Sequence, residues 1–166
     1  SLAKEPDRKL IETLLAGGVA KDFGAKKVIL VATYFPYLRQ DKNFTNYESF
    51  SSKHIFKMFD MFDKILVIDP HLHRIHHLEQ FSKKAHHLTT NTLIANYIKK
   101  RFKEDFLIVG PDSESKQWDQ KIAQMLGKKV ILLEKKRFSA TQIHQKEKPL
   151  GNAKNIIFID DIISTG

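Results

Sequence analysis

The chain has 166 residues, 42% of them hydrophobic and none of them cysteine, which is enough apolar side chain for a buried core and excludes a disulfide framework or a cysteine-based metal site. No apolar run reaches the length of a membrane span and no signal peptide opens the sequence, so a cytoplasmic protein with no membrane partner is expected. The net charge of +9 is scattered over pairs such as Lys26-Lys27 and Lys83-Lys84, with no zinc-finger, helix-turn-helix or RNP-like motif, so it suits small phosphorylated anions and predicts no nucleic-acid partner.

Pro6-Asp7 opens a predicted helix, with proline in its first turn. Leu10, Ile11, Leu14, Leu15 and Val19 form its apolar stripe, Gly17-Gly18 weakens its middle, and Gly24 ends it. Residues 27–35 (KVILVATYF) read as a buried strand followed by a loop over Pro36 to Asp41. Phe50, Ile55, Met58, Phe59 and Phe62 stripe a second helix. Residues 64–69 (KILVID) read as a strand ending on a carboxylate. A polar stretch follows that holds six of the eight histidines, His71, His73, His76, His77, His86 and His87. It reads first as a polar segment near a domain or subunit boundary, since this spacing does not establish a metal cage.

Leu93, Ile94, Tyr97, Ile98 and Phe102 mark the next helix, and residues 106–110 (FLIVG) a strand leading into Pro111-Asp112. Trp118, Ile122, Met125 and Leu126 stripe a further helix that Gly127 stops, with Trp118 read as core. Residues 130–133 form a strand, and 135–154 a long polar loop of the kind used as a lid or binding loop. The last strand, 156–159 (IIFI), reads as buried on both faces and runs into Asp160-Asp161, then Ser164, Thr165 and Gly166.

Strands alternating with helices predict an α/β fold of parallel sheets flanked by helices. In such sheets ligands bind outside the carboxyl ends of the strands. Three strands end there on ligand-type side chains: Asp69, Asp112 and Asp160-Asp161. Adjacent carboxylates repel, so they imply sugar hydroxyls or a cation. Ser164, Thr165 and Gly166 supply the hydroxyls and open backbone N–H groups of a phosphate cradle.

Several of these segments together resemble ribose-phosphate pyrophosphokinase, the phosphoribosyl pyrophosphate (PRPP) synthetase family. Residues 160–166 (DDIISTG) are similar to the PRPP-binding motif shared with class I phosphoribosyltransferases. Residues 34–41 (YFPYLRQD) resemble the family's nucleotide-binding loop, Asp69-Pro70-His71 its Asp-Leu-His segment, and Gly110-Pro111-Asp112 its Pro-Asp turn. Glu134-Lys135-Lys136-Arg137 resembles its catalytic Lys-x-Arg loop. The five segments come in family order and span essentially the whole chain.

The resemblance implies two similar phosphoribosyltransferase-type, Rossmann-like domains, with 1–88 part of the first and 89–166 part of the second, assembled into homo-oligomers. It implies transfer of the β,γ-diphosphoryl group of ATP to the C1 hydroxyl of ribose 5-phosphate, giving PRPP and AMP, with Mg2+ required. Lys135 and Arg137 would be catalytic. Arg39, Gln40, Asp41 and His71 would bind ATP, and Asp160, Asp161, Ser164, Thr165 and Gly166 would bind ribose 5-phosphate. His71 and Asp112 would lie at the metal, Asp112 being the better ligand because magnesium prefers oxygen. Pro70 departs from the family's leucine, and residues 113–118 (SESKQW) replace a Gly-rich turn, which suggests a divergent branch. Family chains are nearly twice this length, so this chain is expected to be part of a longer one. A non-catalytic nucleotide-binding homologue that regulates a partner, and a class I phosphoribosyltransferase, stay open as alternatives.

Overall fold

A computed structural model describes residues 5–38, 51–72, 77–112, 115–137, 143–146 and 153–161, with backbone alone described for 134–137 and 143–146. The chain divides into two compact units, Ser1–Thr89 and Thr90–Gly166.

In the first unit the elements are α1 (Pro6–Asp22), β1 (Ile29–Ala32), α2 (Ser51–Met58), β2 (Lys64–Ile68), a 3₁₀ turn (Leu78–Gln80) and β3 (Ala85–Leu88). The sheet order is β1-β2-β3, all parallel, with Ile29 opposite Lys64 and Ile65 opposite Ala85. Its core contains four buried phenylalanines, Phe35, Phe56, Phe59 and Phe62. The Phe35 ring stacks on Phe56 at 4.8 Å, Phe56 stacks on Phe81 at 5.2 Å, and Phe59 meets Phe35 edge-on. Gly17 lies in the middle of α1 because the Phe62 ring packs there; a Cβ would sit 2.7 Å from it. Asp63 ties the layers together by accepting from Lys21 Nζ and from the Val28 amide.

The second unit holds α3 (Asn91–Arg101), β4 (Leu107–Gly110), α4 (Lys116–Leu126), β5 (Val130–Leu132), β6 (Glu134–Arg137), β7 (Ile143–Lys146) and β8 (Ile156–Phe158). Here the order is β5-β4-β8, again parallel, and β6 and β7 form a separate antiparallel pair. Ile98, Ile108, Trp118, Ile122 and Ile159 form the core, so Trp118 is packing, as the sequence suggests. Gly127 closes α4 with φ 64, a left-handed conformation that side chains with a Cβ rarely adopt.

The alternation of parallel strands and helices is as expected, but several local expectations are corrected. The 27–35 and 156–159 runs are buried on one face only: Ile29, Val31, Ile156 and Phe158 are exposed, while Ala32 and Ile159 are buried. β1 and β8 are outer strands of their three-stranded sheets, and apolar content alone does not say how many faces are covered. The α1 stripe is also wider than its buried face. Leu10 is buried and Leu14 partly so, whereas Ile11, Leu15 and Val19 are exposed. On α2 the buried side chains are Ser52 and Phe56, and Met58 is exposed; Phe50 lies outside the described residues. Leu93, Tyr97 and Phe102 of the third stripe, and Met125 of the fourth, are exposed as well. The polar stretch after β2 contains a strand, β3, and the expected long loop after β5 begins as the β6–β7 pair.

Candidate functional site

Each unit presents ligand-type residues at the carboxyl edge of its sheet. In the first unit, the chain leaving β1 is fixed by buried Phe35 and Leu38. Ser52 Oγ donates to the Tyr37 carbonyl at 2.9 Å, and the Tyr37 hydroxyl donates to Asp7 Oδ1. That bond raises the tyrosine's pKa, as expected where ionisation would face the Asp7 carboxylate. Tyr37 has φ 65, in the left-handed region. A non-glycine residue held there is a local strain that the surrounding contacts must sustain. Arg39, Gln40 and Asp41, which follow directly, lie outside the described residues.

Next to it, β2 is followed directly by Asp69, another non-glycine residue with positive φ, 41°. Its amide donates to the Leu88 carbonyl at the end of β3, 2.8 Å away. This carries His87 to the same edge, with Nε2 3.9 Å from Asp69 Oδ1. His71 follows two residues later and is buried. Sequence reasoning missed His87 as a neighbour of Asp69, because the strand that brings it there has no apolar run.

In the second unit, β4 and β8 are direct neighbours, with Val109 opposite Phe158 and the Ile159 amide donating to the Val109 carbonyl at 3.3 Å. Parallel pairing in this register brings the Asp112 turn and Asp160-Asp161 to one edge. The Asp160 carboxyl is pushed up from the ordinary range, first by desolvation and then by the charges of Asp161 and Asp112. One of its oxygens accepts from the Asp161 amide at 3.0 Å. Asp112 Oδ1 accepts from the Ser115 amide at 3.2 Å, which orients that carboxylate at the start of α4.

This edge is rich in oxygen acceptors and suits a hard divalent cation. Among the described residues no three metal-binding side chains converge, so oxygens from a substrate would have to complete the shell. Magnesium commonly binds in that way. Lys135 and Arg137 occupy alternate positions of β6, with Cα partners Gln145 and Ile143 on β7. Their side chains, and all of Ser164, Thr165 and Gly166, lie outside what is described. Ser115 and Asp119, buried beneath the Asp112 turn, were not legible as site residues; their only signal is an i, i+4 polar pair opening a helix.

The two parallel sheets flanked by helices have a phosphoribosyltransferase-type fold. Crystallised phosphoribosylpyrophosphate synthetase from Mycobacterium smegmatis has this architecture. It superposes with a TM-score of 0.67 over 83% of this chain and 46% of that one, at 24% identity. Residues 1–62 match the family model for the N-terminal domain of ribose phosphate pyrophosphokinase. The ribose-phosphate pyrophosphokinase of Pyrococcus abyssi is 36% identical over 96% of this chain and 56% of its own length. That of Pyrococcus furiosus is 33% identical over 100% of this chain and 59% of its own. The chain is similar to ribose-phosphate pyrophosphokinases along nearly its whole length, and spans a little over half the length of these relatives.

Proposed function

We propose that this chain is part of a ribose-phosphate diphosphokinase, which moves the β,γ-diphosphoryl group of ATP to the C1 hydroxyl of ribose 5-phosphate and yields PRPP and AMP. The observation that carries the proposal is similarity to ribose-phosphate pyrophosphokinases along 96% or more of the chain, with the five motifs in order. Residues 1–88 would belong to the N-terminal and 89–166 to the C-terminal phosphoribosyltransferase-like domain of a cytoplasmic homo-oligomer. No helix among the described residues is long and apolar enough to cross a membrane.

ATP and ribose 5-phosphate are both polyanions, so holding them together requires cationic and N–H donors. Arg39, Gln40 and Asp41 would hold the nucleotide, with His71 near its phosphates. Asp160 and Asp161 would accept hydrogen bonds from the ribose 2- and 3-hydroxyls, and Ser164, Thr165 and Gly166 would begin the 5-phosphate cradle. Asp112 would hold magnesium, which when bound neutralises phosphate charge and orients the transferred group. Lys135 and Arg137 would neutralise charge on the diphosphoryl group as it moves, Arg through its planar fork. A reaction of this kind needs positioning and charge more than a dedicated base.

The test is to incubate the longest natural chain containing this segment with magnesium, ATP and ribose 5-phosphate, and to follow phosphorus NMR. Equal amounts of AMP and PRPP are expected. ATP binding without either product overturns the proposal in favour of a non-catalytic homologue. Lys135→Ala with Arg137→Ala is expected to lower kcat by about 10³-fold or more with ATP affinity largely kept, the scale of lost transition-state charge stabilisation; an unchanged kcat removes both residues from the mechanism.

A further inference from the structure

Beneath the turn that carries Asp112 lies a buried carboxyl with no role in the chemistry above. Asp119, in the first turn of α4, is 0% exposed. Its Oδ2 is 2.8 Å from Ser115 Oγ, and its Oδ1 has no hydrogen-bond partner among the described residues. Ser115 is also fully buried, and its Oγ is 2.8 Å from the Asp112 carbonyl oxygen. The whole cluster rests on Gly110, the last residue of β4. A Cβ there would lie 1.8 Å from Asp119 Oδ2 and 2.5 Å from Ser115 Oγ.

The protons in this cluster must be counted. Ser115 Oγ has one hydrogen and two oxygen neighbours at hydrogen-bonding distance. The Asp112 carbonyl has no proton to give, so it only accepts. If Asp119 were ionised, it too would only accept, and one of the two contacts would bring bare oxygens together at 2.8 Å. Its charge would also be buried, with the Gln120 amide as the one further donor to the carboxyl and the Asp112 charge acting against ionisation. One arrangement satisfies both contacts: Asp119 Oδ2–H donates to Ser115 Oγ, and Ser115 Oγ–H donates to the Asp112 carbonyl. Desolvation, the largest influence on this carboxyl, acts in the same direction and raises its pKa. The hydrogen bonds of Ser115 and of the Gln120 amide and the Lys116 charge oppose that shift, and the Asp112 charge adds to it, so the assignment stands on the contacts themselves.

We infer that Asp119 is a neutral carboxylic acid whose proton, relayed in hydrogen-bond direction through Ser115, holds the turn that aims Asp112. It is a positioning residue, and this role deepens the proposed function, resting on Asp112 acting in the substrate site. The same turn is held a second time by the Ser115 amide on Asp112 Oδ1, so the backbone and the carboxylate are set together. An amide reproduces a neutral acid as a donor to Ser115, whereas alanine does not.

The experiment compares Asp119→Asn, Asp119→Ala and Ser115→Ala in the longest natural chain, with two readouts that need no turnover. Infrared difference spectroscopy is expected to show the carbonyl stretch of a buried protonated carboxyl at neutral pH, lost in Asp119→Asn. Hydrogen exchange is expected to show the Ser115 amide protected in wild type and Asp119→Asn, and about tenfold less protected in Asp119→Ala, the scale of one lost hydrogen bond. An ionised Asp119 at neutral pH, or equal protection in all variants, overturns the inference. With diphosphokinase activity in hand, Asp119→Ala and Ser115→Ala should raise the KM for ribose 5-phosphate by about tenfold while leaving that for ATP within about twofold, with Asp119→Asn near wild type. If Asp119→Asn is as impaired as Asp119→Ala, the neutral-donor role is wrong. Should the chain make no PRPP, the infrared and exchange results still decide the state of Asp119, and only the proposed function falls.

Discussion

The two sheet edges are built from opposite chemistry. In the first unit, the residues at the strand ends are one carboxylate, Asp69, and two imidazoles, His71 and His87, over a stack of phenylalanine rings. In the second, three carboxylates lie over a serine, a buried acid and a glycine that admits them. The first edge, with its two imidazoles, is suited to phosphate oxygens. The carboxylates described at the second edge are acceptors and are suited to hydroxyls and a cation. A basic chain thus concentrates negative charge in one small region, and the residues beneath that region must tolerate it. The comparison also predicts that the two edges fail differently. Stacked rings lose stability when truncated, whereas a polar cluster fails when it is crowded or its protons are misplaced.

The sharpest way to break the comparison is at the aromatic stack. Phe56 is fully buried and stacks on both Phe35 and Phe81. Phe56→Ala is expected to destabilise the chain by about 3–5 kcal/mol, the scale of a truncated core aromatic. Thermal unfolding followed by near-ultraviolet circular dichroism checks this, and a loss under about 1 kcal/mol would mean that the stack does not carry the first unit. A smaller but more local effect is expected at Gly110. Gly110→Ala places a methyl group on Asp119 and Ser115. It should cost about 1–3 kcal/mol, as overpacking does. Unlike Phe56→Ala, it should also release the Ser115 amide to hydrogen exchange. If Gly110→Ala leaves that amide protected, the cluster is looser than its distances imply.

How much of this was legible in the sequence follows from which interactions leave a pattern. β2 and β4 are short apolar runs bounded by turn residues, and their carboxyl-end acids follow directly in sequence, so strand and site residue were read together. β3 is Ala85-His86-His87-Leu88, whose pairing rests on backbone hydrogen bonds to β2 rather than on an apolar run. β6 is Glu-Lys-Lys-Arg and is likewise defined by its backbone partners on β7. The buried faces were over-read on α1 and on β8, since Ile11, Leu15 and Phe158 are as apolar as their buried neighbours. Asp119 was invisible for the opposite reason. A charged residue in the first turn of a helix reads as a surface residue suited to the helix dipole. Only Gly110, the last residue of β4, reveals that something must lie against the strand.

The smallest expected effect tests the acidic edge itself, at Asp160. Its folded pKa is raised by desolvation and by Asp161 and Asp112. A carboxyl with a folded pKa above its unfolded value binds its proton more tightly when folded. Its contribution to the apo chain is therefore favourable at low pH and declines as pH rises from the ordinary carboxylate value through the raised one. Asp160→Asn removes that decline. Because Asp160 is exposed to solvent, the gain in apo stability at neutral pH should stay within about 0.5 kcal/mol. The informative quantity is the difference with magnesium. A divalent cation relieves the repulsion among ionised carboxylates, so it should stabilise the wild type more at neutral pH than in acid, and should stabilise Asp160→Asn less than the wild type. Thermal unfolding at two pH values, with and without magnesium, reads both slopes. If magnesium stabilises Asp160→Asn as much as the wild type, the cation does not bind at this edge, and the division of labour between the two sheets would have to be redrawn around the histidines of the first unit.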